Sequence, residues 1–347
     1  MKIDYSKLED LIYQAFCAVS MEESNARTMA RVLTAAEARG VYSHGVQLVP
    51  VYIRLLRAGK LNANPRCTVL REAPGAILMD GDNGLGGLCM REAMNLAVQH
   101  AKTYGSVTLC MRNGTHYGAG AYYAQALADA GMVSYLYATA NAMAVPFGGA
   151  QRYFGTNPYT FGAPAGRFGA LILDMATTEV AYGKVAAALN EGRQIPASWG
   201  VAADGRHTTD PNAIQQGGAL CHFGGAKGYG IAFMIDVAAA VLSGAPYLGK
   251  DIFVLPTDTH LAAVGFFLQV IDPSFFVGKE AFLQRMEALI DDVKASRKAE
   301  GVQEIFFPGE IENRSYAKAV CEGVQVHDAA YAAFADTLAS LGIRTEA

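Results

Sequence analysis

Between residues 75 and 140 short apolar runs alternate with longer amphipathic stretches, and this alternation restricts the fold more than any other feature. Ala76–Asp80, Val107–Met111 and Val133–Tyr137 have the length and apolar character of strands. The intervening 89–103, closed by Gly105, and Gly120–Ala130, closed by Gly131, have helical spacing. Strands and helices in alternation bury their apolar surfaces by packing helices on a sheet. The pattern continues with a strand at Gly169–Asp174, a helix at Glu179–Leu189, an apolar helix expected to be buried at 228–243, a strand at Phe266–Ile271 and a more polar helix at 279–298.

The two ends read differently. Residues 5–19 place Leu8, Leu11, Ile12, Ala15, Phe16 and Val19 on one helical face, with Ser6–Glu9 as a capping box. A second helix is expected at Ser24–Ala38. A third runs through Tyr52, Leu55 and Leu56 and stops at Gly59, and a last amphipathic helix occupies 327–341. The expected class is α/β (α+β), with a helical domain from residues 1–72 and 305–347 and an α/β domain from 73–304. No internal repeat or low-complexity linker divides the chain.

Composition narrows the function. The net charge of −4 gives no polybasic surface for nucleic acid or anionic membrane. Charged residues are only 17% of 347, which leaves surface for a second subunit to cover. The six cysteines are scattered with no CxxC pair, so neither a zinc cage nor a disulfide framework is expected. A polar start without a signal-peptide pattern, and no apolar run long enough to span a bilayer, point to a cytoplasmic protein.

Histidine dominates the candidate chemistry. Arg39-Gly40-Val41-Tyr42-Ser43-His44-Gly45 follows the second helix and sets His44 between a hydroxyl and a glycine. It reads as an oriented functional imidazole or as a capped turn. His116 lies in Asn113–Gly120, after a strand and before a helix, at the sheet edge where α/β proteins gather ligands. No HxH or HxxxH pair occurs, so no metal site is expected. Neither GxGxxG nor a Walker loop is present. The nearest glycine cluster, Gly224–Gly230, carries Lys227 into a helix start, either as a phosphate cradle or as a solvated loop. Asp174-Met175-Ala176-Thr177-Thr178 puts an acid and two hydroxyls at a strand end, suited to ribose hydroxyls or to a helix cap.

Taken in order, these pieces resemble the type-2 malate/L-lactate dehydrogenase family. They run from Ser43-His44-Gly45, Pro50 and Tyr52 through Asn113–Gly120, Pro146–Gly149, Gly155–Pro158, Asp174–Thr178 with Gly183-Lys184, and Lys227–Gly230 to Pro308-Gly309-Glu310. The family includes ureidoglycolate dehydrogenases, 2,3-diketogulonate reductases, sulfolactate dehydrogenases and piperideine-2-carboxylate reductases. The resemblance implies a non-Rossmann, sulfolactate-dehydrogenase-like fold. It also implies NAD or NADP as cofactor and hydride transfer to or from a 2-hydroxy/2-oxo acid. Reduction of a cyclic imine or N-substituted amino acid is the alternative, and a ligand-binding homologue without turnover is a third. It implies His116 as acid/base with His44 as its electrostatic partner, although either histidine fits the acid/base role. Ser43, Tyr52 and Asn141 are implied at the substrate, and Asp174, Met175, Ala176, Lys227, Gly309 and Glu310 at the cofactor. A homodimer is implied as well. Two positions depart from the family pattern: Leu48 stands where it usually has an arginine, and Ala140 where it often has Ser or Thr.

Overall fold

A computed structural model describes residues 1–247, 249 and 252–345. Eleven strands and eleven α-helices appear among them, in the order β1 (Lys2–Ile3), α1 (Tyr5–Cys17), α2 (Glu23–Ala38), α3 (Leu48–Arg57), β2 (Thr68–Ala73), β3 (Ala76–Asp80), α4 (Gly86–Tyr104), β4 (Ser106–Gly114), α5 (Gly120–Asp129), β5 (Val133–Ala138), β6 (Tyr159–Pro164), β7 (Ala170–Met175), α6 (Tyr182–Asn190), β8 (Gly200–Val201), α7 (Pro211–Gln215), β9 (Ala219–Leu220), α8 (Ala226–Ile235), β10 (Val264–Ile271), α9 (Lys279–Ala295), α10 (Glu310–Glu322), β11 (Val324–Gln325) and α11 (Asp328–Ser340).

The main sheet is mixed, ordered β2-β3-β4-β10-β5-β6-β7. Only β3 and β4 pair in parallel. The late strand β10 enters the centre, where Leu268 faces both Leu109 of β4 and Leu136 of β5. Its Phe266, Leu268 and Val270 are fully buried there. Because β10 is antiparallel to β4 and β5, and β6 to β5 and β7, the strands β3, β4, β5 and β7 all point the same way. Their carboxyl ends gather at one edge of the sheet, which positions the site.

The chain ends meet through β1 and β11. One apolar core joins α1, α2 and α3 to α11 through Leu8, Ile12, Phe16, Leu33, Phe334 and Leu338. A second core lies between the sheet and α4 and α5. A third, smaller one gathers Ala144, Phe154, Val185, Ile195, Ile214 and Leu220 around α6 and α7.

Several expectations shift. Helix α1 is capped by Asp4, whose carboxylate accepts the Lys7 N–H at 3.0 Å, and Ser6 donates its hydroxyl to that carboxylate instead of capping. The acid one residue before the helix outcompetes the hydroxyl inside it. Strand β2 straddles the expected 72/73 boundary. The apolar helix expected to be buried is α8 continued by a π-helical stretch, Asp236–Val241. It buries one face only: Phe233, Val237 and Val241 are 51%, 47% and 58% exposed. No helix among the described residues is long and apolar enough to cross a membrane.

Candidate active site

The turn after α2 brings the first histidine. Gly40 takes a φ of 82°, which reverses the chain after the helix. A short 3₁₀ turn then carries Tyr42–His44. Behind it, buried Glu37 accepts the Val46 N–H at 2.8 Å. Burial pushes this carboxyl up to about 7, although the Val46 hydrogen bond opposes the shift. Gly45 passes so close that a Cβ there would lie 2.0 Å from Glu37 Oε2. The His44 loop is thus fixed from the core side by a hydrogen bond and by a position that only glycine fits.

The second histidine leaves the end of β4. Thr115 Oγ1 donates to Gly84 O at 2.9 Å and accepts the Gly86 N–H at 3.1 Å. The His116 N–H donates to Val254 O at 2.7 Å. The His116 Nδ1 lies 2.7 Å from the hydroxyl of Tyr52, which α3 buries almost completely. His44 Nδ1 lies 2.8 Å from Ser43 Oγ. The two imidazoles stack at 5.2 Å with 29° between their planes. Each ring therefore has one nitrogen engaged by a hydroxyl, leaving Nε2 for the cavity that both line. Burial holds His116 down to about 3, with the adjacent His44 adding to the shift. Burial also lowers His44, while the Asp174 carboxylate pulls it upward. Both rings are neutral at pH 7.

The cavity has a volume of about 450 Å³, within the range of small-molecule sites. Ser43, Thr139, Asn141 and Asp174 are polar residues of its lining, and Met143, Pro158, Met175, Ala176 and Val254 are apolar ones. Asn141 Oδ1 accepts the Val254 N–H at 3.0 Å. Asp174 is exposed at the end of β7, yet its carboxylate accepts the Ala121 N–H and the Thr160 hydroxyl, each at 2.8 Å. It caps α5 across the sheet edge and still lines the cavity.

The residues present fit a nicotinamide dinucleotide. Apolar walls suit the ring, and an exposed carboxylate suits a ribose diol. The first turn of α6, with Ala181, Tyr182 and Gly183 on the cavity, has no side-chain cap, and a Cβ on Gly183 would meet nothing within 4 Å. Such an open helix start suits phosphate.

Other expected contacts are placed differently. Tyr52 reaches the site through His116 and does not line the cavity. Leu48 is half-buried against the helical core, and no Lys or Arg occurs among the described residues lining the cavity. Lys227 is exposed on the first turn of α8, outside the cavity lining, but its loop is tied to the β7 exit by the Phe223 N–H to Thr177 O bond at 3.1 Å. Gly309 has a φ of 84° and packs on Ile172, and Glu310 is buried in ion pairs with Lys294 at 2.8 Å and Arg314 at 2.6 Å. Neither lines the cavity, and Glu310 spends its charge on these partners. Thr139, Met143, Tyr182 and Val254 were absent from the expected set. Thr139 follows directly on β5, so its place at a strand end was a usable signal. Val254 offers none, since an irregular segment brings it in.

The Tyr52–His116 bond leads to a specific expectation. Tyr52→Phe removes one hydrogen bond, roughly 1.4 kcal/mol, and kcat falls about tenfold. KM changes little, and the melting temperature falls modestly because the buried His116 Nδ1 loses its partner. A kcat unchanged beside a lowered melting temperature would show that the phenol only packs.

Two stacked histidines line a cavity whose residues fit a dinucleotide, at the edge of a mixed sheet without a Rossmann loop. The chain belongs to the malate/L-lactate dehydrogenase family, whose model matches residues 3–335. It is 34% identical to the ureidoglycolate dehydrogenase (NAD(+)) of Escherichia coli (strain K12), over 95% of this chain and 94% of that protein. The solved structure of the sulfolactate dehydrogenase from Methanocaldococcus jannaschii superposes with a TM-score of 0.92 at 33% identity, covering 99% of this chain and 98% of that one. A Δ1-pyrroline-2-carboxylate/Δ1-piperideine-2-carboxylate reductase of Pseudomonas putida is 31% identical, over 94% of each chain.

Proposed function

We propose that this protein is an NAD(P)-dependent 2-hydroxyacid dehydrogenase in which His116 exchanges the substrate proton. The observation that carries the reading is the Tyr52–His116–His44 arrangement on the cavity. A nicotinamide held in this cavity would supply or accept the hydride. His116 supplies the proton chemistry at Nε2. In reduction the imidazolium, with Nδ1 donating to the Tyr52 oxygen, passes its Nε2 proton to the oxygen of a 2-oxo acid and is left neutral. With Nδ1 protonated and donating to the Tyr52 oxygen, Nε2 is free to take the proton of a hydroxyl group. The ring thus serves both directions, as imidazolium when it gives the proton and neutral when it takes it, and the burial that disfavours its charge favours the transfer to substrate. His44, stacked alongside, orients the substrate through its own Nε2, and Ser43 fixes the His44 ring. Asn141, also on the lining, contacts the substrate with its amide.

Asp174, with Met175 and Ala176, contacts the cofactor, and the open start of α6 receives phosphate. Lys227 serves the cofactor from the adjoining loop. The absence of cationic side chains from the described lining leaves a substrate carboxylate to hydroxyl, amide and imidazole donors, which favours a substrate other than those an arginine clamp selects. We read the protein as a cytoplasmic homodimer; the dimer agrees with the exposed stripe Phe233, Val237 and Val241 on α8 and its continuation, which needs an apolar cover. Light scattering checks the dimer.

A panel of pyruvate, oxaloacetate, ureidoglycolate and piperideine-2-carboxylate, run with both nicotinamide cofactors, tests the function. Turnover of a hydroxy or oxo acid is expected. Turnover confined to the imine would replace this reading by imine reduction, and turnover of none would leave a binding protein.

A further inference from the structure

A cavity of about 690 Å³ opens between α1, α2, α5 and α10, and none of its described lining residues is shared with the catalytic cavity. On its wall lies Arg39, 6% exposed. Its guanidinium donates to Asn313 Oδ1 at 2.8 Å and to Gln125 Oε1 at 2.9 Å, and the Tyr316 ring lies 5.3 Å away. No carboxylate among the described residues forms an ion pair with it. A guanidinium carries five N–H donors, and the bonds to Asn313 and Gln125 both end on neutral amides. Burial works against its charge, and the Glu312, Asp174 and Asp129 carboxylates attract it without reaching hydrogen-bond contact, so its remaining donors have no anion directly on them. The acids on the same wall are engaged elsewhere. Glu9 lies 3.7 Å from Arg31, and Asp129 accepts the Gln125 amide at 2.8 Å. The tyrosines Tyr5, Tyr122 and Tyr316 make the rest of the wall amphipathic.

We propose that this cavity binds a small organic carboxylate with an apolar or aromatic body, its carboxylate on Arg39 and its body among the tyrosines. Arg39 ends α2 four residues before Ser43, and Gln125 lies on α5, whose first residue Gly120 lines the catalytic cavity. From Gly120 to Gln125 is about 8 Å along the helix axis. A ligand here therefore touches both elements that carry the catalytic walls, as an effector would.

Calorimetric titration of the full chain with 3-phenylpropionate, L-phenylalanine and phenethylamine tests the site. The two carboxylates bind at millimolar concentration and the amine does not; binding of phenylpropionate alone identifies a plain acid, and of both a site that also accepts an amino acid. Arg39→Met, which replaces a buried charge by an apolar chain and is expected to fold, weakens both by about 10- to 150-fold, the loss of a charge-assisted hydrogen bond. Ala126→Phe, which fills the cavity from an exposed position on α5 and leaves Arg39 in place, abolishes binding as well. His44→Ala leaves binding intact. No binding of either carboxylate, equal binding of the amine, or loss of binding in His44→Ala in place of the two cavity variants overturns the proposal.

Discussion

His116→Ala lowers kcat by about 10²- to 10⁴-fold on whichever substrate the panel identifies, the range for removal of a general acid/base. NADH still binds, because the ring touches the reacting end of the site and not the groups assigned to the cofactor. The replacement also changes how the fold responds to acid. Burial holds His116 near 3 when folded, whereas an unfolded histidine titrates near 6.5. Between these values the unfolded chain binds a proton that the folded chain refuses, so stability rises with pH across that window. The contribution of the neutral, buried ring is complete above about 6.5 and is lost as pH falls toward 3. His116→Ala has no such proton to refuse, so its stability falls less steeply below the ordinary histidine range. Urea melts at about pH 7 and about pH 5, on either side of that range, measure this. Parallel losses in both proteins would mean that the ring titrates normally in the folded state. A kcat retained within a few-fold would move the proton to His44.

Asp174→Ala carries the second large effect, on cofactor affinity. The Asp174 carboxylate already holds the Ala121 N–H and the Thr160 hydroxyl, which keeps it oriented with an exposed edge toward the cavity. A hydrogen bond to a charged group is worth about 1.5–3 kcal/mol, so the dissociation constant for the dinucleotide rises about 10- to 150-fold. Loss of the cap on α5 costs a further 0.5–2 kcal/mol or so of stability, read from a thermal melt. Asp174→Asn keeps an acceptor for the helix start and separates the two effects: it recovers most of the stability while affinity stays low. Unchanged affinity in Asp174→Ala beside a lowered melt would reduce Asp174 to a cap.

How much of this was legible in the sequence depends on the range over which each feature is encoded. Strands β3, β4, β5 and β7 and helices α2, α4 and α5 announce themselves by local periodicity and by Gly105 and Gly131 at helix ends, and their order was readable. Strand β2 was not, because its six residues are all exposed and TVLREA carries no apolar face. Strand β6 hid behind Pro158 and an internal glycine. Helix α10 buries only Glu310 and Ala319 and so lacks an apolar stripe. The insertion of β10 between β4 and β5 joins segments far apart in the chain, and no local pattern specifies it. In the site, both histidines stood out through their glycine neighbours and Asp174 through its strand-end position, whereas Asn141 came only from the family resemblance. The link from Tyr52 to His116 spans 64 residues and emerged only when α3 was laid against the end of β4. Glu310 shows the reverse case: a motif residue whose surroundings, Lys294 and Arg314, lie outside the motif.

A fluorescence titration of NADH, and in parallel NADPH, with wild-type protein and His116→Ala decides whether the cavity is a nicotinamide site with His116 at its chemical end. At least one cofactor is expected to bind both proteins with closely similar affinity, while only the wild type goes on to turn over a 2-oxo acid. No change in nicotinamide fluorescence with either cofactor at high protein concentration would contradict it.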